Sequence, residues 1–291
     1  MSALLIVNAD DFGLEEEINS AIIEAHAKGI VTSASLLANG GAFEHAVELA
    51  RKHSRLGIGA HLTLNRGPSL TGGPLLKREV SSLADRNGLF PKSPILFAAR
   101  AALGAVNLHE VEAELRAQLE KIRSAGIKIT HIDSHQHIHL APSIFKIAVR
   151  LAEAFRVNWI RLPIPPKASP SRGSPAKRLK QTLLGKLALW NAGTVDSAVR
   201  WADYHVGIEH AGRLREDELG KIIRALPDAL VEFSCHPGAD NAKLSVNHPW
   251  NFLWQQELSA LCSPAVRAAV DEAHVRLVNY HELADVKLAG R

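Results

Sequence analysis

Short apolar runs alternate with amphipathic stretches along most of the chain. Residues 4–7 are apolar and give way to Asn8-Ala9-Asp10-Asp11-Phe12-Gly13, which predicts a buried strand ending in a loop. Residues 15–28 place Ile18, Ala21, Ile22 and Ala25 at helical spacing, and Gly29 supplies the stop. Further strands are predicted over 30–37, 56–64, 127–132, 159–162, 230–235 and 275–278. Helices are predicted over 43–52, 111–125, 142–154 and 216–225. Repeated strand–helix units imply a parallel sheet with helices outside it. Seven or eight units over this length suit a closed or nearly closed (β/α) barrel, with a doubly wound open sheet as the alternative.

Two stretches interrupt the alternation. Residues 65–107 are rich in Gly, Pro and Ser. Residues 163–196 begin Pro-Ile-Pro-Pro and continue as a basic amphipathic stretch with Leu179, Leu183, Leu184 and Leu187 as its apolar face. Long insertions after strands often cover an active site, so both read as lids or substrate-binding loops on one domain spanning 1–291; extra packing without a role is the competing reading.

Composition narrows the setting. No uninterrupted apolar run is long enough to span a membrane, and the N-terminus lacks the basic start of a secretory signal. Cys235 and Cys262 cannot make a disulfide framework, so a cytoplasmic location is expected. The net charge is +4, yet residues 154–195 hold eight basic residues and no acid, leaving −4 for the rest. That segment is either a solvated basic surface or one that meets an anionic substrate, a phospholipid headgroup or nucleic acid.

Metal-type side chains fall at predicted strand ends. Asp10 and Asp11 follow the first strand, and two adjacent carboxylates repel unless a cation or proton intervenes. One of them could serve as a helix N-cap instead. His61 sits in an apolar strand, where a lone His is more often a core residue; it gains weight from its company. In His131-Ile132-Asp133-Ser134-His135-Gln136-His137-Ile138-His139, an extended backbone would point His135, His137 and His139 to one face. Four imidazoles and a carboxylate within nine residues point to a metal or to groups that orient its ligands. His236, at a strand end before Pro237, is either an incidental turn residue or a general acid. In a parallel barrel all these strand ends share one mouth.

Asn8-Ala9-Asp10-Asp11-Phe12-Gly13, Gly59-Ala60-His61-Leu62, Thr130 to His139 and Cys235-His236-Pro237 together resemble the YdjC-like carbohydrate deacetylases, the group that includes chito-oligosaccharide deacetylase. The resemblance runs from Leu4 to about Gly238, with a weaker echo at Tyr280-His281-Glu282-Leu283. It implies a distorted (β/α) barrel with inserted loops on the active-site face. It also implies one divalent metal ion, Zn²⁺ or Mg²⁺ with Mn²⁺, Co²⁺ or Ni²⁺ as alternatives, held by Asp11, His61 and His135. Asp10 is then the expected general base and His236 the general acid. Arg161 resembles a substrate-side arginine, and His137 and His139 are further substrate-binding candidates. The implied substrate is an N-acetylated sugar or glycolipid, hydrolysed to release acetate. Peripheral membrane contact, through Leu183, Leu184, Leu187 and Trp190, and a homodimer are left open; no nucleic acid is expected. Two rivals stand beside this reading: a metal-dependent phosphoesterase, and a non-catalytic basic module that binds membrane or nucleic acid.

Overall fold

The computed structural model describes residues 3–72, 82–166 and 175–283. Among the described residues, seven parallel strands form one sheet: β1 (Leu4–Phe12), β2 (Ser33–Leu36), β3 (Gly57–Leu62), β4 (Ile129–Ser134), β5 (Tyr204–Val206), β6 (Leu230–Cys235) and β7 (Arg276–Leu277). Their order is β4-β3-β2-β1-β6-β5, with β7 paired to the start of β1. The sheet is a half-barrel that curls round. Single bridges, Ile132 to Ile160 and Trp159 to Arg200, carry the curl from β4 across residues 158–164 toward β5. The predicted strand at 159–162 is therefore present only as bridges.

Helices cover the outside. They are α1 (Glu16–Lys28), α2 (Phe43–Lys52), α3 (Pro94–Ala102), α4 (Leu108–Ser124), α5 (Pro142–Phe155), α6 (Pro175–Ala192), α7 (Glu216–Arg224), α8 (Asn241–Asn247), α9 (Trp254–Leu261) and α10 (Pro264–Glu272). α2 packs by the usual logic, burying Phe43, Ala46, Val47 and Ala50, one stripe at helical spacing.

Strand alternation sorts the chemistry. On β1, Leu5, Val7 and Ala9 join the core under the helices, while Ile6, Asn8 and Asp10 take the opposite, interior face. On β6, Val231, Phe233 and Cys235 pack outward, and Leu230, Glu232 and Ser234 alternate with them. At one end of the interior a small apolar cluster of Ile6, Trp159, Ala202, Leu230, Val278, Tyr280 and Leu283 forms a plug. Above it the inward residues are polar: Asn8, Ser35, His131, Asp133, Arg161 and Glu232, all buried. The strand C-termini lie beyond that polar layer.

Candidate active site

A β-bulge explains how two adjacent aspartates reach one site. Neighbours on a regular strand point to opposite faces. Between Ala9 and Phe12 the β1–β2 register slips, and Asp11 adopts φ 66°. The extra residue turns Asp11 back inward beside Asp10. Asp11 Oδ1 lies 2.9 Å from His135 Nδ1 and 3.5 Å from His61 Nε2. One potential ligand atom from each of Asp11, His61 and His135 lies within 4.8 Å of the others, all three residues being buried. This buried Asp/His group could hold a metal ion. Two nitrogens and one oxygen leave coordination positions open, and His135 Nε2 is buried without a hydrogen-bond partner.

The surrounding layer fixes this group. His61 Nδ1 sits 2.8 Å from Asp133 Oδ1, directing Nε2 toward Asp11. Asp133 Oδ2 accepts from Ser35 Oγ at 2.8 Å and from Arg161 Nη1 at 2.7 Å. Arg161 also donates two bonds to Asp10, each 2.8 Å, and one to Glu232 at 2.7 Å. Burial opposes ionisation of Asp10, but Arg161, with His61 and His236, outweighs it and holds the carboxyl well below the usual range. Burial also disfavours a charged His61, yet Asp133, Asp10 and Asp11 raise it to about 9. Burial keeps His131 neutral, down at about 3. Its ring lies against Gly59, where a Cβ would come within 2.3 Å, so the glycine before the Ala60-His61 pair makes room for an imidazole.

A second acidic group, Asp10, His61 and Asp133, also has ligand atoms within 4.8 Å. The Arg161 guanidinium already joins its two carboxylates, so a metal cation there would sit beside a fixed positive charge. The first group is the one better able to hold a metal ion.

Asp10, Asp11, His61, His135, His137 and His236 all open on a cavity of about 730 Å³, walled in part by Lys177, Lys180, Trp250 and Phe252. His236 Nε2 lies 3.8 Å from Asp10 Oδ2. Behind it, Glu257 accepts the His236 backbone N–H at 2.6 Å and stands 4.0 Å from Nδ1. A second cavity of about 610 Å³ shares His135 and is lined by Arg66, Lys92 and His248. Arg66, stacked 4.5 Å over the Trp250 ring, forms the wall between them.

Three expectations need correction. Arg161 is fully buried and bonded to three carboxylates, so it lies beneath the cavity and not on the substrate side. His139 is also fully buried; its Nδ1 faces Ser134 Oγ and its Nε2 the Arg161 carbonyl, so it braces the turn and does not reach the cavity. Residues 135–139 are not extended. They form a 3-10 turn, His135–Leu140, with positive φ at Gln136 and His137, which separates the three imidazoles. Ser35, Glu232 and Glu257 were missed as supporting residues. For the first two, the period-two spacing of Ser33 with Ser35 and of Glu232 with Ser234 was the available signal.

Taken together, the geometry defines a class: a parallel α/β half-barrel with a buried Asp/His group, able to hold a metal ion, at the strand ends. The family described as YdjC-like protein matches residues 4–272, and the chain belongs to that family. It is 35% identical over 283 residues to a protein of Geobacillus stearothermophilus named carbohydrate deacetylase, covering 97% of this chain and 98% of that one. Over 153 residues it is 46% identical to a carbohydrate deacetylase of Brevibacillus brevis, a match spanning 53% of this chain and 57% of that protein. A crystal structure from Enterococcus faecalis V583, described as a "putative cellobiose-phosphate cleavage protein", superposes with TM-score 0.74 at 28% identity, covering 98% of this chain and 100% of that one.

Proposed function

We propose that the chain hydrolyses the N-acetyl group of an amino sugar to acetate and the free amine, with one divalent cation held by Asp11, His61 and His135. The convergence of those three ligand atoms on the floor of a cavity shared with Asp10 and His236 carries this reading. The relatives named carbohydrate deacetylase support the substrate class. The donor set suits Zn²⁺, with Mg²⁺, Mn²⁺, Co²⁺ and Ni²⁺ as alternatives. When bound, the cation supplies a Lewis acid that polarises the acetamide carbonyl and acidifies water.

The side chains do the proton work. Asp10, held ionised and oriented by Arg161, takes a proton from the attacking water. His236, with Glu257 behind its ring, delivers a proton to the nitrogen as the C–N bond breaks. His137 contacts the sugar from the cavity wall. We read 1–291 as one domain with insertions at about 65–107 and 163–196. The free cysteines, Cys235 and Cys262, suit a reducing compartment and support a cytoplasmic location. A phosphoesterase with two bridged cations finds less support, because Arg161 already pairs the carboxylates a bridge would need.

Mass spectrometry on a panel of N-acetylated sugars, with each metal supplied, tests the reading by loss of one acetyl unit. Asp10→Asn is expected to keep the metal and lose about 100-fold or more in turnover. His135→Ala is expected to lose both. Parent-like turnover in Asp10→Asn removes the base, and release indifferent to added metal or chelator removes the cation.

A further inference from the structure

Helix α6 is built inside out. Its inward face carries Gln181, Gly185, Ala188 and Asn191, all buried. Gln181 donates to Glu209 Oε2 at 3.0 Å, and Asn191 donates to the Leu140 carbonyl at 2.9 Å. Gly185 lies so close to Pro165 that a Cβ would sit 2.7 Å from its ring. The large apolar side chains point outward: Leu179, Leu183, Leu189 and Trp190 are 51–60% exposed. The apolar face read from the sequence is thus partly turned to the surroundings, with Leu184 and Leu187 half-buried.

Helix α3 repeats the pattern. It buries Phe97, while Ile95 is 81% exposed, Leu96 55% and the following Leu103 83%. Both helices pack against the His135–Leu140 turn, so both border the site. Each insertion also reaches a cavity: Lys177 and Lys180 line the first, and Leu89, Phe90 and Lys92 the second. Charge marks the same two stretches. Residues 86–109 contain no Asp or Glu, nor do residues 154–195, in a chain with 30 acids. Exposed Lys92, Arg178, Lys180 and Lys186 stand among the exposed apolar residues.

We propose that α3 and α6 form an interfacial surface that docks the protein on an anionic lipid bilayer. Leucines and a tryptophan interleaved with cations, and free of acids, complement an anionic headgroup layer over acyl chains. A symmetric second copy fits less well, because an isologous contact would bring these cations against themselves. The docked surface adjoins both cavities, so an acetylated sugar carried as a lipid headgroup would enter from the membrane side; that extension rests on the deacetylase reading, whereas docking does not.

Vesicle flotation of the intact, metal-loaded chain tests the proposal. Vesicles of phosphatidylcholine alone are compared with vesicles containing about one third phosphatidylglycerol, at low and physiological salt. The chain is expected to float with the anionic vesicles and to lose most of that binding on neutral ones or with added salt. L183E/W190E and, separately, I95E/L103E are expected to weaken partition about tenfold or more, with circular dichroism and metal content unchanged. Absence of flotation, or variants that float like the parent, overturns the proposal. So does sedimentation as a dimer that L183E/W190E splits, which assigns the surface to a second copy. Acetate release from a water-soluble N-acetyl sugar is followed alongside: its absence with intact flotation counts against the function reading alone, and the reverse counts against docking alone.

Discussion

Arg161 holds the interior together. A guanidinium with no exposure is tolerable only because three carboxylates neutralise it and accept its hydrogen bonds. Removing it leaves Asp10 and Asp133 facing each other in a buried layer, so Arg161→Ala is expected to cost about 3–5 kcal/mol in denaturant unfolding. Its position in Ile-Arg-Leu-Pro was legible in the sequence, but its inward direction was not, because bridge-only pairing at 159–161 offers a weak periodic signal. Glu257 stands directly behind His236, the proposed general acid. Its Oε1 accepts the His236 backbone N–H and stands 4.0 Å from His236 Nδ1, which is buried without a hydrogen-bond partner. Glu257→Gln is therefore expected to lower kcat with KM and metal content little changed and to move the pH profile of kcat. An unchanged profile would limit Glu257 to holding the His236 backbone.

At the scale of elements, the site depends on two departures from regular structure. The bulge at Asp11 gathers both aspartates, and the 3-10 turn after β4 presents His135 while burying His139. Ser134 closes that turn: its Oγ accepts the His139 N–H at 3.0 Å and pairs with His139 Nδ1. Ser134→Ala is expected to leave the fold intact and weaken metal affinity about tenfold, as loss of a supporting hydrogen bond does. Parent-like affinity by titration would show that the turn holds His135 without it. Regular elements were readable because periodicity reports them directly; the limits of α2 and β6 agree with the pattern at both ends. The bulge and the turn were not, because each rests on positive φ at non-glycine residues that only tertiary contacts enforce. The leucine stripe of α6 was legible, but the face turned to the barrel was not, because small and polar residues there allow the closer approach.

Across the whole molecule, the layering of apolar plug, charged layer and open cavity concentrates negative charge at the strand ends. Without metal, His61 carries the compensating proton, its ionisation raised to about 9 by Asp133, Asp10 and Asp11 against the cost of burial. That proton stabilises the metal-free fold fully below about pH 6.5, the ordinary imidazole range, and the benefit is lost as pH rises through about 9. Asp133 works at the other end: burial opposes its ionisation, but Arg161 and His61 bring it to about 2, so its contribution disappears as pH falls through about 2. A cation coordinated by His61 must displace its proton. Calorimetry near neutral pH in buffers of different ionisation enthalpy is expected to show about one proton released per metal, with affinity rising toward pH 9.

In the proposed site, Asp11, His61 and His135 surround one ion. Anomalous scattering from a crystal soaked in cobalt or zinc tests it most directly. A peak is expected about 2.0–2.2 Å from a carboxylate oxygen of Asp11 and from a ring nitrogen of each histidine. A peak between Asp10 and Asp133, or none at the three-residue group under full soaking, would contradict it.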